Sequence, residues 1–595
     1  MAEVQKTFHD LNVECAKRFL QHAVVVDNGL YFVDVDETLD AEKKKAKEFA
    51  PKSPGKRAPK RGQDKDADRN EDERAVDAPD GASAEEGGKN LAAQALIEGF
   101  AEQHIICCPY RPNSKAEPAE VVRTSIAVAK SADIVVLDWD LGDGGDKTLE
   151  VIKELIRLDE ELGGRLRLIA IYTGDKEVGD QYRRVKEALG LAIEKDEPAE
   201  YVISGDNYRI VILSKPNPEL GTIPGIVALT EKDLAERLVF EFAKITDGLM
   251  PNVALTAISE IREATHRILA KYDGTLDPAL LTHRVLLHDP HESEEFVVQL
   301  IADEIASLLE TGAVGKSAFG LQSIGAWLRD RHENHGLRFG IDSVKEDRYS
   351  VESALTLLEG GFRKGPEIED KIVLEKGGNL KFSNSFVEKI GSKTDLISHL
   401  FASSNTESKT SHSRVARYSN LAREAFGESF LPAEWHPVLW LGSILKRHAE
   451  ADAANEYYLC VQPVCDCVRI QEGGQKFPFL RLVEVDNAVD AKKPFDLIIV
   501  HGLGEGDLCL KPSYKPMDQA LFKFPASDAQ GVVKGISKEG ETGFFFTDLD
   551  ENEFLWLGDL KTVFAIRDAD RISGQLRRVG MSEFEWLRMR SSYKQ

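Results

Sequence analysis

The stretch Ile134-Val135-Val136-Leu137-Asp138 is a short apolar run that closes on a carboxylate. Uninterrupted apolar runs of this length are typical of strands buried on both faces of a parallel sheet. Three other apolar runs end in a similar way, on Asp27, Thr173 and Lys215. Because the carboxyl ends of parallel strands meet at one edge of an open sheet, we expect these four side chains to converge there. An acid, an acceptor Asp, a hydroxyl and a Lys are the groups that phosphoryl chemistry on a carboxylate needs, so Asp138 is predicted to be a phosphorylation site.

Strand-like and helix-like segments alternate over residues 1–245. This alternation predicts a domain built on a doubly wound parallel α/β sheet of five strands. The strands are expected near residues 23–27, 104–108, 134–138, 168–173 and 210–215.

A charged insert interrupts this domain at about residues 41–90, between the first strand and the first crossover helix. It is basic in 43–61, acidic in 64–86, and contains almost no large apolar residue. Such a segment cannot offset the entropy of ordering, so it is predicted to be disordered. Its place on the active-site edge of the sheet makes it a candidate screen or gate for Asp138.

The pattern changes after residue 245. Residues 246–455 are predicted to be mainly helical, and residues 456–595 to form a β-rich domain that ends in helices. Four of the elements expected there matter below: helices near 413–425 and 438–453, and strands near 465–470 and 563–567. With these two regions the 595-residue chain has three domains, in line with its length.

Composition excludes several classes of protein. A formal net charge of −25 argues against a protein that coats nucleic acid, because phosphate binding needs a concentrated basic surface. No apolar run approaches the length of a membrane span, and charges at Glu3, Lys6 and Asp10 break up any signal-peptide core. Seven scattered cysteines fit reduced thiols. We therefore expect a cytoplasmic protein.

The order Asp27, Asp138, Thr173 and Lys215-Pro216 resembles the receiver domain of two-component signalling, over about residues 15–245. The resemblance implies that a partner sensor histidine kinase gives its phosphoryl group to Asp138. It also implies that Thr173 and Lys215 bind the phosphoryl oxygens, and that the protein is a phosphoacceptor with at most slow autodephosphorylation rather than a turnover enzyme.

The same resemblance implies a Mg²⁺ ion held by Asp27, Asp138 and the backbone near Asp140. The chain departs from the receiver pattern at Asn28, where a second acid is usual. An amide oxygen is a weaker ligand for Mg²⁺ than a carboxylate, although the acid of Asp140 is a possible replacement. A second departure is Ile212, at a position where receivers tend to place an aromatic, so a Thr-aromatic switch is not expected.

Within the receiver class, the apolar string that runs from Phe19 to Asp27 and the long insert resemble divergent response-receiver proteins of bacterial anti-phage phosphorelays of the Detocs type. The resemblance implies a companion effector receiver protein. Because residues 246–595 contain no recognisable effector active site, a regulatory or phosphate-buffering role is favoured over a toxic one.

Two other functions remain open. A haloacid-dehalogenase-like phosphatase is suggested by Asp34-Val35-Asp36-Glu37-Thr38, although this string follows a strand that already ends at Asp27. A transcription factor is less favoured, because Arg571, Arg577 and Arg578 form only a modest basic cluster. Zinc is also disfavoured: Cys465 and Cys467 lack the usual Cys-x2-4-Cys spacing and are expected on one face of a strand.

Overall fold

The computed structural model describes residues 6–31, 91–361, 401–576 and 590, with gaps at 114, 194–197, 217–225, 227, 288–289, 291, 334–350, 403, 428–430, 433, 448–454, 472, 486–496, 503–505 and 528–530. Contacts divide the chain into two compact units, whose described parts are 6–333 with 351–361, and 401–576. The predicted insert at 41–90 and the Asp34 string lie outside the described residues.

The first unit begins with an α/β sheet and continues in helices. Its elements in chain order are α1 (Phe8–Phe19), β1 (His22–Val26), β2 (Leu30–Tyr31), β3 (Leu91–Ala92), α2 (Ala93–Glu102), β4 (Ile106–Tyr110), α3 (Pro118–Ala129), β5 (Ile134–Leu137), α4 (Asp146–Glu161), β6 (Arg167–Thr173), α5 (Val178–Ala188), β7 (Val202–Ser204), β8 (Tyr208–Ser214), α6 (Glu231–Ala243), α7 (Leu249–Glu263), α8 (Thr265–Lys271), α9 (Asp277–Leu286), α10 (Glu292–Thr311), α11 (Val314–Ala318), α12 (Leu321–Glu333) and α13 (Val351–Gly360).

The main sheet has the strand order β4-β1-β5-β6-β8-β7. Its first five strands are parallel, and β7 pairs with β8 in the antiparallel sense. The doubly wound α/β fold is thus confirmed, with six strands rather than the five expected. The second strand was predicted two residues too early, since it runs from Ile106 to Tyr110.

Two apolar cores flank this sheet, which explains its uninterrupted apolar strands. All four residues of β5 are buried, with Ile134 and Val136 facing one core and Val135 and Leu137 the other. Helices α1, α2 and α6 pack on the first face, whereas α3, α4 and α5 pack on the second. Side chains alternate across a strand, so burial of both faces requires a continuous apolar run.

A short parallel pair, β2 with β3, brings together the two described segments that flank residues 32–90. Leu30 pairs with Leu91 and Tyr31 with Ala92, and the Leu91 amide donates a hydrogen bond to the Gly29 carbonyl over 3.0 Å. Leu30 and Leu91 are both buried. The described residues on either side of 32–90 therefore lie next to each other, close in sequence to the end of β1.

In the residues that the structure describes, the second unit is a large antiparallel sheet with one α-helix before it and one after it. Its elements are α14 (Asn405–Asn420), β9 (Leu421–Glu424), β10 (Ser443–Arg447), β11 (Glu456–Cys460), β12 (Gln475–Glu484), β13 (Ile498–Gly502), β14 (Gly506–Pro512), β15 (Gln519–Phe524), β16 (Ile536–Ser537), β17 (Phe544–Thr547), β18 (Glu553–Leu560) and α15 (Thr562–Leu576). The main path is β13-β14-β12-β11-β10-β18-β17-β16.

Several predicted elements in this unit are wrong. The centre of the helix expected near 438–453 is strand β10, and the helix expected near 413–425 ends at Asn420 and gives way to β9. The strand expected near 563–567 is part of helix α15. The division into three domains stays a prediction, and any such division has to keep β9 and β10 with the sheet that β11 and β18 form.

The region of the two neighbouring cysteines also differs from the prediction. Residues Val464–Asp466 form a 3-10 turn, with Cys465 exposed and Cys467 buried. All seven cysteines of the chain are free thiols. Among the described residues, no set of three His, Cys, Asp or Glu side chains is arranged to hold a metal ion. A search of the same residues finds no helix that is both long and apolar enough to cross a membrane.

Candidate functional site

Lys215 joins two of the strand ends that the sequence predicts to converge. Its ammonium Nζ donates hydrogen bonds to Asp27 Oδ2 over 2.7 Å and to Asp138 Oδ1 over 2.8 Å. The side chains of Lys215 and Asp27 are 5% and 2% exposed, whereas that of Asp138 is 13% exposed. Asp138 is thus the member of the trio that is open to an incoming group.

The sheet itself sets these positions. Main-chain hydrogen bonds continue past the last strand residues: the amide of Asp138 donates to Val26 O over 2.9 Å, and that of Lys215 to Thr173 O over 2.7 Å. Asp27 follows β1 directly, and its Oδ1 accepts a hydrogen bond from the Gly29 amide over 2.6 Å. Adjacent parallel strands in register therefore present their next side chains at one edge.

Burial changes the proton affinity of the acceptor. It raises the pKa of Asp138 to about 6, against the opposing effect of the Lys215 charge and with a further rise from Asp27. Burial alone would lower the pKa of Lys215, but the two carboxylates that it contacts raise this pKa above its usual value. At neutral pH the site thus holds an ammonium between two carboxylates.

Thr173 lies at the end of β6, next to Lys215 in the sheet. Its hydroxyl oxygen accepts a hydrogen bond from the Asp175 amide over 3.1 Å, and the residue is 2% exposed. The preceding residue, Tyr172, places its ring under the Lys215 ammonium at 5.7 Å and donates its hydroxyl hydrogen to Leu229 O over 2.6 Å. The Lys215 ammonium thus packs against the face of the Tyr172 ring.

Asp140 and Asn28 are placed differently from the other predicted site residues. Asp140 Oδ1 accepts hydrogen bonds from three successive amides, those of Gly142, Asp143 and Gly144, over 2.8 to 2.9 Å. The Asn28 amide nitrogen donates to the main-chain oxygen of Asp140 over 2.8 Å. The Asp140 carboxylate therefore holds its own loop, and its carbonyl is the oxygen that faces the β1 end.

These contacts decide how a Mg²⁺ ion would fit. Mg²⁺ takes oxygen ligands and usually keeps several waters, so one or two carboxylates are sufficient. The oxygens available at this edge are the carboxylates of Asp27 and Asp138 and the carbonyl of Asp140. These oxygens fit Mg²⁺, whereas Asn28 has only a neutral amide oxygen to offer a cation, since its amide nitrogen has no lone pair and donates to the Asp140 carbonyl.

Ile212, at the position where receivers tend to have an aromatic, is an apolar core residue that is 5% exposed. It packs in the same core as Tyr182 and Tyr201, whose rings meet edge to face at 5.7 Å. Tyr201 immediately precedes the edge strand β7, which the sequence reading missed.

Sequence reasoning also missed the residues that hold the loop after the acceptor. Trp139 is 4% exposed, and Thr148 Oγ1 donates a hydrogen bond to Asp138 O over 2.8 Å. Lys147 Nζ donates to Leu141 O over 3.0 Å. The signal in the sequence is an aromatic directly after the acceptor, followed by a loop rich in Gly and Asp and then by a helix.

A mainly parallel α/β sheet of this order, with Asp27, Asp138, Thr173 and Lys215 at the carboxyl ends of four neighbouring strands, is the arrangement of a receiver-type domain. The family model of the response receiver domain matches residues 19–219. This part of the chain, less than half of it, is a divergent response receiver domain, the phosphoacceptor module of response regulators. No curated protein and no solved structure matches the chain significantly.

Proposed function

We propose that Asp138 accepts a phosphoryl group from a phosphohistidine of a partner sensor histidine kinase. The observation that carries this proposal is the pair of hydrogen bonds from Lys215 Nζ to Asp27 and Asp138, at the edge where Asp138 is the more exposed carboxylate. A carboxylate oxygen of Asp138 attacks phosphorus, and the phosphorus–nitrogen bond of the donor breaks. The histidine nitrogen keeps the electron pair and takes up a proton.

The neighbouring residues have separate tasks in this step. Lys215 contacts two carboxylates, and its ammonium can stabilise the negative charge that develops on the equatorial phosphoryl oxygens. The Thr173 hydroxyl uses its oxygen to accept from Asp175, which leaves its hydrogen to donate to a phosphoryl oxygen. A bound Mg²⁺ would supply positive charge opposite those oxygens, with Asp27, Asp138 and the Asp140 carbonyl as its ligands.

The role proposed for the whole chain is that of a regulatory or phosphate-buffering component of a bacterial signalling phosphorelay with an anti-phage function. Two features support it: the resemblance of the string from Phe19 to Asp27, together with the long insert, to response-receiver proteins of such systems, and the absence of a recognisable effector active site in the sequence of residues 246–595. A companion effector receiver would compete for the same kinase. Free thiols at all seven cysteines fit the cytoplasm as the place of this exchange.

The test is labelling with acetyl phosphate that carries a labelled phosphoryl group, in the presence of Mg²⁺, followed by mapping of the modified residue. Borohydride reduction converts an aspartyl phosphate into homoserine and so marks the position by mass. We expect one labelled site, at Asp138, and no label in Asp138→Asn. Asp180→Asn, which removes a carboxylate that is 52% exposed on α5, is the matched control and should label normally.

Label retained in Asp138→Asn would overturn the proposal. Label at Asp34, with steady release of phosphate, would instead favour the phosphatase alternative, whose motif lies at residues 34–38.

A further inference from the structure

The loop that joins Asp138 to helix α4 folds tightly around one indole ring. Trp139 is buried, and Gly145 approaches it so closely that an added Cβ would lie 2.5 Å from the ring. Gly145 has a φ of +105°, in the left-handed region that favours glycine. The close contact with Trp139 thus constrains the backbone of this loop at Gly145.

Arg184, on the neighbouring helix α5, holds this loop at three points. Its guanidinium lies over the Trp139 ring at 5.0 Å from the centroid. Its NH1 donates a hydrogen bond to Gly144 O over 2.7 Å, and its NH2 donates to Asp146 Oδ1 over 2.7 Å. A planar guanidinium can satisfy all three contacts at once, whereas an ammonium cannot.

The loop held by Arg184 also carries the main-chain oxygen beside the acceptor. Asp140 Oδ1 binds the amides of Gly142 and Gly144, and Asp140 O accepts the hydrogen bond from Asn28. The Arg184 guanidinium donates a hydrogen bond to Gly144 O in the same segment. A shift of the loop would therefore move the Asp140 carbonyl relative to the carboxylate of Asp138.

Helix α5 is also connected to Thr173, whose hydroxyl is part of the site. It begins at Val178, and only residues 174–177 separate it from Thr173. In that link the Asp175 amide donates to the Thr173 hydroxyl oxygen. Arg184 therefore connects the strand end that carries Thr173 with the loop that follows Asp138.

We propose that Arg184 is a positioning residue for phosphotransfer, which fixes the loop after Asp138 against helix α5 and so sets the geometry in which the acceptor meets the phosphoryl group. This inference rests on the proposed function of Asp138. The bland alternative is a surface contact that only adds stability. Exposed ion pairs contribute little to stability, and the Asp146 side chain is 78% exposed, so the ion pair alone would add little.

The neighbouring arginine provides the matched control. Arg183 is 60% exposed and pairs only loosely with Asp180, at 3.7 Å. We compare Arg184→Gln, Arg184→Lys and Arg183→Gln in the full chain, and measure the labelling rate at several acetyl phosphate concentrations. A positioning role lowers the maximal rate and leaves the half-saturating concentration of acetyl phosphate nearly unchanged, because the donor does not touch Arg184.

The expected loss in maximal rate is about tenfold for Arg184→Gln, the lower end of what supporting residues around a reactive centre usually contribute. Arg184→Lys should recover part of the loss, since it keeps a cation near Trp139 but loses the forked contact. A second readout is the fluorine resonance of 5-fluorotryptophan at position 139, assigned by Trp139→Phe. We expect this resonance to shift on addition of beryllofluoride, and the shift to be lost in Arg184→Gln but kept in Arg183→Gln.

The outcomes separate this inference from the proposed function. If neither the wild type nor Arg183→Gln is labelled at Asp138, both the proposed function and the inference about Arg184 are wrong. If both are labelled and Arg184→Gln reaches the same maximal rate, the inference alone fails. Should Arg184→Gln not fold, Arg184→Lys and Asp146→Ala decide: wild-type maximal rates in both would overturn it.

Discussion

The side-chain amide of Asn28 donates a hydrogen bond to the main-chain oxygen of Asp140 over 2.8 Å. This contact links the ends of β1 and β5, at the position where receivers usually carry a second acid. A carboxylate there would repel the carbonyl and attract a cation, whereas the amide satisfies the carbonyl without one. Asn28 thus provides a hydrogen bond between two loops at a position where an acid would provide negative charge.

Asn28→Asp should therefore tighten Mg²⁺ binding, because it adds a full negative charge beside Asp27 and removes a donor from the Asp140 carbonyl. We expect a gain of about tenfold in affinity, equivalent to about 1.4 kcal/mol. The measurement is a calorimetric titration of the unphosphorylated protein with MgCl2. Asn455→Asp, an exposed position before β11, makes the same change in net charge and should have no effect. Equal or weaker binding by Asn28→Asp would show that residue 28 does not face the ion.

The buried acceptor should make phosphorylation dependent on pH near neutrality. Only the ionised carboxylate is nucleophilic, and the pKa of Asp138 is raised to about 6. The labelling rate should rise with pH, reach half its maximum near pH 6 and level off above pH 7. An ordinary Asp would instead give its midpoint near pH 3.9. A rate that stays constant from pH 7 down to pH 5 would contradict the raised pKa.

The same shift in pKa predicts that Asp138→Asn stabilises the protein. A group whose pKa is higher in the folded state than in the unfolded state favours folding while it is protonated, and this contribution is lost as pH rises through the folded pKa. The Asp138 charge thus opposes folding above about pH 6. Its removal should raise the free energy of unfolding at pH 7.5, by up to about 3 kcal/mol.

This gain should shrink as pH falls through 6 and vanish below about pH 4, where the wild-type carboxyl is protonated in both states. Urea titrations of both proteins at pH 4, 6 and 7.5 provide the measurement. A gain that is equal at all three pH values would mean that it does not arise from the charge.

Substitution of Lys215 should have the opposite effect on stability. Lys215→Met leaves the Asp27 and Asp138 carboxylates facing each other without a counter-charge. Removing one partner of a buried ion pair usually costs about 3 to 5 kcal/mol. We expect Lys215→Met to lose that much stability at pH 7.5 and to lose labelling, as followed by urea titration and acetyl phosphate.

A double variant shows whether charge is the cause. Lys215→Met combined with Asp138→Asn removes one positive and one negative charge, so Asp138→Asn should gain more stability in the Lys215→Met background than in the wild type, and no labelling should return. If the two changes simply add, the loss comes from packing rather than from the unpaired carboxylates.

The strands of the receiver domain were predictable because their environment leaves little choice. β5, β6 and β8 lie in the middle of a parallel sheet, so both faces need apolar side chains and the polar residue that follows marks the edge. β7 has three residues and lies at the edge, too short to give a pattern. Its pairing with β8 depends on the hairpin rather than on its own sequence.

The second unit was less predictable, because antiparallel pairing joins segments that are far apart in the chain. Leu441, Ile444 and Leu445 have helical spacing, yet Ile444 and Leu445 face opposite cores between β11 and β18. The role proposed for Arg184 could not be predicted from the sequence for the same reason. Nothing near it in the sequence shows that its guanidinium meets Trp139 and Gly144, which lie 45 and 40 positions earlier.

The last prediction concerns the insert at residues 41–90, which lies in the sequence between the paired strands β2 and β3. Leu30 and Leu91 are buried in the core, and the Leu91 amide donates a hydrogen bond to Gly29 O, so contacts among described residues hold β2 and β3 together. Residues 41–90 carry almost no large apolar side chain. Replacing them with a short Gly/Ser linker should therefore leave thermal stability unchanged or slightly raised, since each halving of loop length favours closure by about 0.6 kcal/mol.

Phosphotransfer is where the replacement should have an effect. Strand β1, which precedes the insert in the sequence, ends at the edge that a kinase has to approach, whereas acetyl phosphate needs no docking surface. We expect the phosphotransfer rate from the partner kinase to change several-fold. The rate from acetyl phosphate should stay within about twofold of the wild-type rate, which corresponds to a difference of about 0.4 kcal/mol in the barrier. A second variant, in which a Gly/Ser linker as long as the insert replaces residues 41–90, distinguishes the effect of losing the insert's sequence from the effect of losing its length. If the shortened protein unfolds, or if amides in residues 41–90 of the wild type are strongly protected from hydrogen exchange, the insert is part of the fold and the prediction is wrong.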